Sequence, residues 1–426
     1  MPGDKSLTQR SLILASLADG RSRLSGLLYG GDSASTAGAL RALGVKIGEL
    51  PIDGSELFID GVGLGGLQDP TSELDLGNSG TGSRLLLGVL AGSEIIATVT
   101  GDDSLRSRPM TRVVEPLSRM GANFDWRAGA DGLPVTVRGA RPLADLEWTN
   151  LVASAQVKSA ILLAGLTGSA SVTITESRQS RDHTERVLNG VGVSVEQYEV
   201  PEGWRVVMTD PPNRIEPLDF VVPGDISSAA FLLTLAVLGG THEPVTVESV
   251  GLNPTRSAFL DVLSRMGAEV SVEIENTLGS EPVGSITVGP TELQGVEVGV
   301  LEVPRLIDEL PLVAALGAKA RGMTIITGAE ELRTKESDRI SAMVDNLRAV
   351  GVHAEEYDDG LAIEGTEEPL RGAVESREDH RITMAFGVLG AVNPNNIDID
   401  NKRIADVSFP GFWSVIKELV GGVGKA

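Results

Sequence analysis

The sequence predicts an α/β (α+β) protein of two domains, built from six similar units with three in each domain. Three observations carry this. A helix end made of an apolar residue and a glycine recurs at Gly44, Gly121, Gly192, Gly267, Gly351 and Gly421, spaced 70 to 84 residues apart. A β-rich run precedes the helix of each copy. The turn Gly3-Asp4-Lys5-Ser6 is echoed halfway along the chain by Gly224-Asp225-Ile226-Ser227.

Taken in order, the β-rich runs lie at 23–28, 95–101, 171–175, 245–250, 323–328 and 397–400. Each leads into a helix that stops where glycine permits the left-handed cap, as in Ser118-Arg119-Met120-Gly121-Ala122. In the first five copies an alternating strand follows, for example Glu269-Val270-Ser271-Val272-Glu273. Glu418-Leu419-Val420-Gly421 is a worn sixth copy. So long a period excludes short solenoid repeats and leaves strand-helix-strand units with helices covered by sheets. Val221-Val222-Pro223-Gly224-Asp225 breaks an apolar strand before a new helix, which places one domain over 4–223 and the other over 224–426 plus 1–3.

A chain of 426 residues with 41% hydrophobic and 22% charged residues has the balance of a soluble globular protein. Its longest apolar stretches fall well short of the roughly 20 residues of a membrane span, and the N-terminus lacks the pattern of a signal peptide. A cytoplasmic location is expected. There is no cysteine, so disulfides, thiolate metal sites and a cysteine nucleophile are excluded. His183, His242, His353 and His380 are dispersed and form no metal pattern, so no metal and no cofactor are predicted. A net charge of −23 argues against nucleic acid and anionic membranes as partners.

Against that acidic background, the basic residues in polar, glycine-rich settings stand out. Gly3-Asp4-Lys5-Ser6-Leu7-Thr8-Gln9-Arg10 opens a helix with a lysine, a serine and an arginine, and helix-start amides beside cations make an anion site. Gly77-Asn78-Ser79-Gly80-Thr81-Gly82-Ser83-Arg84 is a second such loop. Arg106-Ser107-Arg108-Pro109 follows a strand end, and Ser154-Ala155-Gln156-Val157-Lys158 opens an apolar helix. In Thr334-Lys335-Glu336-Ser337-Asp338-Arg339 the two cations are four residues apart, the spacing of neighbours on one helix face. Glu378-Asp379-His380-Arg381 precedes the apolar run 382–389. The G-x-G-x-x-G match at Gly61 to Gly66 is followed by Pro70 and polar residues, not by a helix, and is no nucleotide loop.

Together these segments resemble the EPSP synthase family, the 3-phosphoshikimate 1-carboxyvinyltransferases. The motifs G-D-K-S-x-x-x-R, G-N-S-G-T, R-P-M, S-A-Q-V-K, K-E-S-D-R and D-H-R occur in order across almost the whole chain. Arg181-Asp182-His183-Thr184-Glu185 and Asn253-Pro254-Thr255-Arg256 look like its class II branch. The resemblance implies a two-domain inside-out α/β barrel of six βαβαββ-type units, with the active site in the cleft between the domains. It implies transfer of the enolpyruvyl group of phosphoenolpyruvate to the 5-hydroxyl of shikimate 3-phosphate, on the pathway to chorismate and the aromatic amino acids.

By resemblance, Lys5, Ser6, Arg10, Ser154, Ala155, Gln156, Ser180, Arg181, Asp308 and Lys335 would hold shikimate 3-phosphate. Lys5, Asn78, Gly80, Arg108, Gln156, Glu336, Arg339, His380 and Arg381 would surround phosphoenolpyruvate. Asp308 matches the base on the 5-hydroxyl and Glu336 the acid near the methylene carbon, with Lys5 and Lys335 beside them as catalytic cations. Glyphosate is the implied inhibitor; the class II motifs suggest tolerance of it, while Gly80 leaves it room. A monomer is expected. The chain departs from the family in three places: two residues precede Gly3, Val407 stands where many members carry a lysine, and Glu331 where others carry asparagine. The sister enzyme acting on UDP-N-acetylglucosamine usually uses a cysteine absent here. A non-enzymatic repeat scaffold would leave the cations at loop ends unexplained.

Overall fold

The computed structural model describes residues 1–127, 131–241, 243–278 and 281–421; His242 lies outside them. The chain divides into two compact bodies. The first holds 3–223 with Thr277, Leu278 and Glu281; the second holds 1–2, 224–276 and the described residues from Pro282 on. Gly3, which the sequence reading puts with the second domain, groups with the first body. Its backbone packs so closely on Gly26 that an added Cβ would lie 1.8 Å from the Gly26 carbonyl oxygen. Glu281 joins that body through His183, whose Nδ1 lies 2.7 Å from its carboxylate.

The first body contains three four-stranded sheets of one pattern. Leu74–Asp75 runs parallel to Ile96–Thr100, which pairs antiparallel with Val135–Arg138 and through it with Asn123–Trp126. Leu146–Asn150, Val172–Glu176, Gly203–Met208 and Glu196–Val200 repeat the order. In the remaining sheet the leading strand comes from the far end of the body. Asp219–Val221 lies parallel to Asp19–Ser25, followed by Leu57–Val62 and Lys46–Ile47. A parallel pair needs a crossover, and helices Gly80–Ala91 and Ala155–Thr167 supply two of them.

The second body repeats the theme with losses. Glu297–Val298, Met323–Ile326, Gly360–Glu364 and His353–Tyr357 form a complete sheet. Beside Val245–Gly251, Glu281–Val288 and Ser271–Leu278, the leading strand is reduced to one parallel bridge from Gly224 to Val250. Arg371–Val374 and Asn396–Ile399 form a parallel pair.

Each unit has one helix buried all round and one buried on a single face. Lys5–Leu17, Gly80–Ala91 and Ala155–Thr167 are the central helices of the first body; Ile226–Val237, Leu310–Gly317 and His380–Ala391 are those of the second. They are buried on every side along nearly all their length, polar residues such as Gln9, Arg10 and Lys158 included, so the sheets must cover them. Thr111–Met120, by contrast, buries only Val113, Val114, Pro116, Leu117 and Met120. Where two central helices touch, at Gly88, an added Cβ would meet the Ala160 carbonyl oxygen at 2.2 Å. The predicted capping glycines 44, 121, 192, 267 and 351 have φ between 82° and 117°, as a left-handed cap requires. Gly421 differs: it is the last residue inside helix Phe412–Gly421.

Candidate active site

In the first body the starts of the three central helices converge. Gln9 Nε2 donates to Ser79 Oγ at 2.9 Å, and Gln156 Nε2 donates to Thr81 Oγ1 at 2.9 Å. Arg10 Nη2 donates to Ser159 Oγ at 2.9 Å. Three sets of helix-start amides, each with a partial positive charge, are thereby gathered at one end of the body. Asp4 caps the first helix by accepting from the Leu7 amide at 2.8 Å, and Ser79 caps the second through the Gly82 amide at 3.1 Å. At the third, Ser154 makes no side-chain cap, and Ala155 and Gln156 are half-buried beside it.

Cations ring these helix starts. Lys5 Nζ lies 3.2 Å from Asp32 in the first turn of Gly31–Ala42. Arg84 Nη1 donates to Gln156 Oε1 at 2.8 Å, and Arg108 donates to both oxygens of Asn78, whose amide donates to Asp102 at 2.8 Å. A Cβ on Gly80 would stand 2.9 Å from Arg108 Nη1 and 3.0 Å from Arg84 Nη1, so the glycine lets both guanidinium groups close over the turn. Arg10 is buried, with Nε donating to Thr184 Oγ1 at 2.7 Å and Nη1 to the Ser6 carbonyl at 3.0 Å. It therefore braces three helices to one another. Ser180 turns its one hydroxyl proton toward Glu176, at 2.8 and 2.9 Å from the two oxygens, rather than outward. Arg181 follows it, half-buried.

In the second body, Arg339 is the centre of a second cluster. It is almost fully buried, with Nε 2.8 Å from Asp379, Nη2 2.6 Å from Glu336 and Nη1 3.6 Å from Asp308. Burial works against its charge, yet the three carboxylates hold its pKa above the ordinary arginine value. Burial likewise opposes the charge of Asp379, but Arg339 and His380 hold it below the usual aspartate value. Arg381 donates from Nη1 to the Asp308 carbonyl at 3.1 Å, and its Nε lies 3.8 Å from the Asp308 carboxylate. Two candidate proton carriers, Asp308 and Glu336, thus flank one guanidinium, each still about a fifth to a quarter exposed (20% and 24%).

Local structure explains the placements. Asp308 lies between the short helix Val303–Leu306 and Leu310–Gly317, while Asp379 caps His380–Ala391 by accepting from the Arg381 amide at 2.9 Å. The spacing of Lys335 and Arg339 suggested one helical face, and the structure corrects this. Helix Arg339–Ala349 begins only after its cap Asp338, and Lys335 is extended at φ −79° and ψ −153°. Glu331 holds it there, 2.7 Å from its ammonium. A short helix, Asp103–Ser107, also separates the strand end from Arg108.

Asp32, Arg84 and Asp379 were missing from the sequence-based site. Arg84 and Asp379 lie within segments the sequence singled out, but their partners Gln156 and Arg339 lie far away in the chain. A further cluster joins two segments the sequence singled out, but its pairing was not foreseen. Lys158, fully buried, lies 2.7 Å from Glu185 and 3.1 Å from Glu176. Burial opposes its charge, but the two carboxylates keep its pKa above the ordinary lysine value.

A family model described as EPSP synthase (3-phosphoshikimate 1-carboxyvinyltransferase) matches residues 1–416. The chain belongs to the EPSP synthase family. It is 44% identical over 420 residues to the 3-phosphoshikimate 1-carboxyvinyltransferase of Sulfurihydrogenibium sp., covering 98% of this chain and 96% of that one. The Salinibacter ruber protein of the same name is 45% identical with the same coverage. The structure of an EPSP synthase from Acinetobacter baumannii superposes with a TM-score of 0.85 at 38% identity, covering 98% of this chain and 94% of that one. The enolpyruvyl transferase NikO from Streptomyces tendae, at 20% identity and a TM-score of 0.76, shares the fold. For this EPSP synthase family member, the UDP-N-acetylglucosamine and scaffold readings are set aside. Among the described residues no helix is long and apolar enough to cross a membrane.

Proposed function

We propose that the two clusters serve one reaction, transfer of the enolpyruvyl group of phosphoenolpyruvate to the 5-hydroxyl of shikimate 3-phosphate, releasing phosphate. The observation that carries the reading is the division of labour. The first body gathers Lys5, Arg84, Arg108 and three helix starts, which suit anions. The second places two carboxylates against Arg339. Both substrates are multiply charged anions, and a like-charge pair at ~4 Å costs roughly 4 kcal/mol at an effective dielectric of ~20. Several cations must offset that, and forked guanidinium groups suit phosphate and carboxylate.

On this reading Ser6, Ser154, Ala155, Gln156, Arg181 and Lys335 hold shikimate 3-phosphate. Asn78, Gly80, Arg108, Arg339, His380 and Arg381 surround phosphoenolpyruvate, and Lys5 serves both. Arg10 and Ser180 act from behind this layer. Glu336 delivers a proton to C3 of phosphoenolpyruvate while Asp308 takes the proton of the 5-hydroxyl as its oxygen bonds to C2. Loss of a proton from C3 and departure of phosphate from C2 then restore the double bond. The expected form is a monomer acting in the cytoplasm. Glyphosate, an anion, would fit at the Gly80 turn, against the guanidinium groups of Arg84 and Arg108 that close over it. The test is phosphate release with both substrates present; release that does not depend on shikimate 3-phosphate would sink the reading.

A further inference from the structure

We propose that Glu176 and Asn150 are positioning residues for the phosphorylated substrate, setting the two turns that carry Ser154 to Gln156 and Arg181. The inference rests on the functional reading above. Strands Leu146–Asn150 and Val172–Glu176 end in register, with Asn150 opposite Glu176. From there the chain leaves the sheet in two turns, 151–154 and 177–182, and both are tied back to one carboxylate. Glu176 Oε1 accepts from Asn150 Nδ2 at 2.8 Å, and the same amide group donates to the Ser154 carbonyl at 3.1 Å. Glu176 also accepts from the Ser180 amide at 3.2 Å and from the Ser180 hydroxyl.

The carboxylate is itself fixed from below. Lys158 Nζ lies 3.1 Å from Glu176 and reaches the Ser180 carbonyl at 3.4 Å, and Glu185 lies 2.7 Å from the same ammonium. Lys158, Glu176 and Glu185 have no exposed side-chain surface. Apolar side chains of the same volume would fill this space without the cost of dehydrating charges. What they could not do is fix the direction of the Ser154 carbonyl and the Ser180 amide. Those directions decide where the helix-start amides of Ala155–Thr167 and the Arg181 side chain point, and buried hydrogen-bonded charge fixes them.

Glu176→Gln keeps the shape and removes the charge; Asn150→Ala removes the tie to Ser154 and leaves the ion cluster intact. In steady-state assays each is expected to raise KM for shikimate 3-phosphate by about tenfold, with kcat and KM for phosphoenolpyruvate within about threefold of wild type. Thermal melting monitors the fold alongside. If Glu176→Gln does not fold, Asn150→Ala decides. Variants with an unchanged KM for shikimate 3-phosphate and only a lower melting temperature or lower kcat overturn the inference, because that is the mark of a purely structural role. A wild type whose turnover ignores shikimate 3-phosphate overturns the functional reading and this inference with it.

Discussion

At Asp308 two guanidinium groups approach one carboxylate, Arg339 at 3.6 Å and Arg381 at 3.8 Å. They orient it without burying it, as a group that must meet a substrate hydroxyl requires. Asp308→Asn keeps the shape and removes the base. Its kcat is expected to fall ~10²–10⁴-fold, with dissociation constants for both substrates within about threefold. Single-turnover kinetics with calorimetric binding would check this, and a wild-type kcat would remove Asp308 from the mechanism. Lys335 shows the opposite economy. Its pairing with Glu331 is part-exposed, so it contributes at most about 1 kcal/mol, little enough for a substrate phosphate to displace.

Helix His380–Ala391 shows how one element joins stability to the site. Its cap Asp379 is also the nearest-held partner of Arg339 Nε, at 2.8 Å. Replacing it by asparagine would leave a buried guanidinium short of compensation, a loss of about 3–5 kcal/mol. The folded-state pKa of Asp379 is lowered. Its contribution is therefore complete above the ordinary aspartate value of ~4 and is lost as pH falls through the lower folded value. Denaturant unfolding should show a large gap between wild type and Asp379→Asn at neutral pH, narrowing in acid. A gap independent of pH would contradict the ion-pair account.

On the scale of the whole molecule, the two bodies have separate cores. One runs from Leu7 to Val222 and the other from Ile226 to Ile416, with no residue in common. The strand Asp219–Val221 returns to pair with Asp19–Ser25, so the first body closes its own sheets. Residues 3–223 expressed alone are therefore expected to fold, with a cooperative melt and dispersed amide resonances. They should release no phosphate from the two substrates, since Asp308, Glu336, Arg339 and Arg381 are absent. A fragment that stays unfolded would show that the cores are not independent.

By itself the sequence determined the repeat, its period and the glycines that stop five of its helices, because glycine spacing and β-rich runs are local signals. It also determined which segments carry charge at helix starts, and through their order the family. Tertiary structure alone decided which charges meet. Arg10 turned out to brace three helices, Ser180 to face Glu176, and Lys335 to leave the helical face its spacing suggested. The pairing of Arg339 with Asp379 and of Lys158 with Glu176 and Glu185 was likewise invisible. Except for Ser180 with Glu176, four residues apart, such contacts join residues separated by many positions in the chain, and burial, which makes them strong, is a property of the packed body and not of any segment.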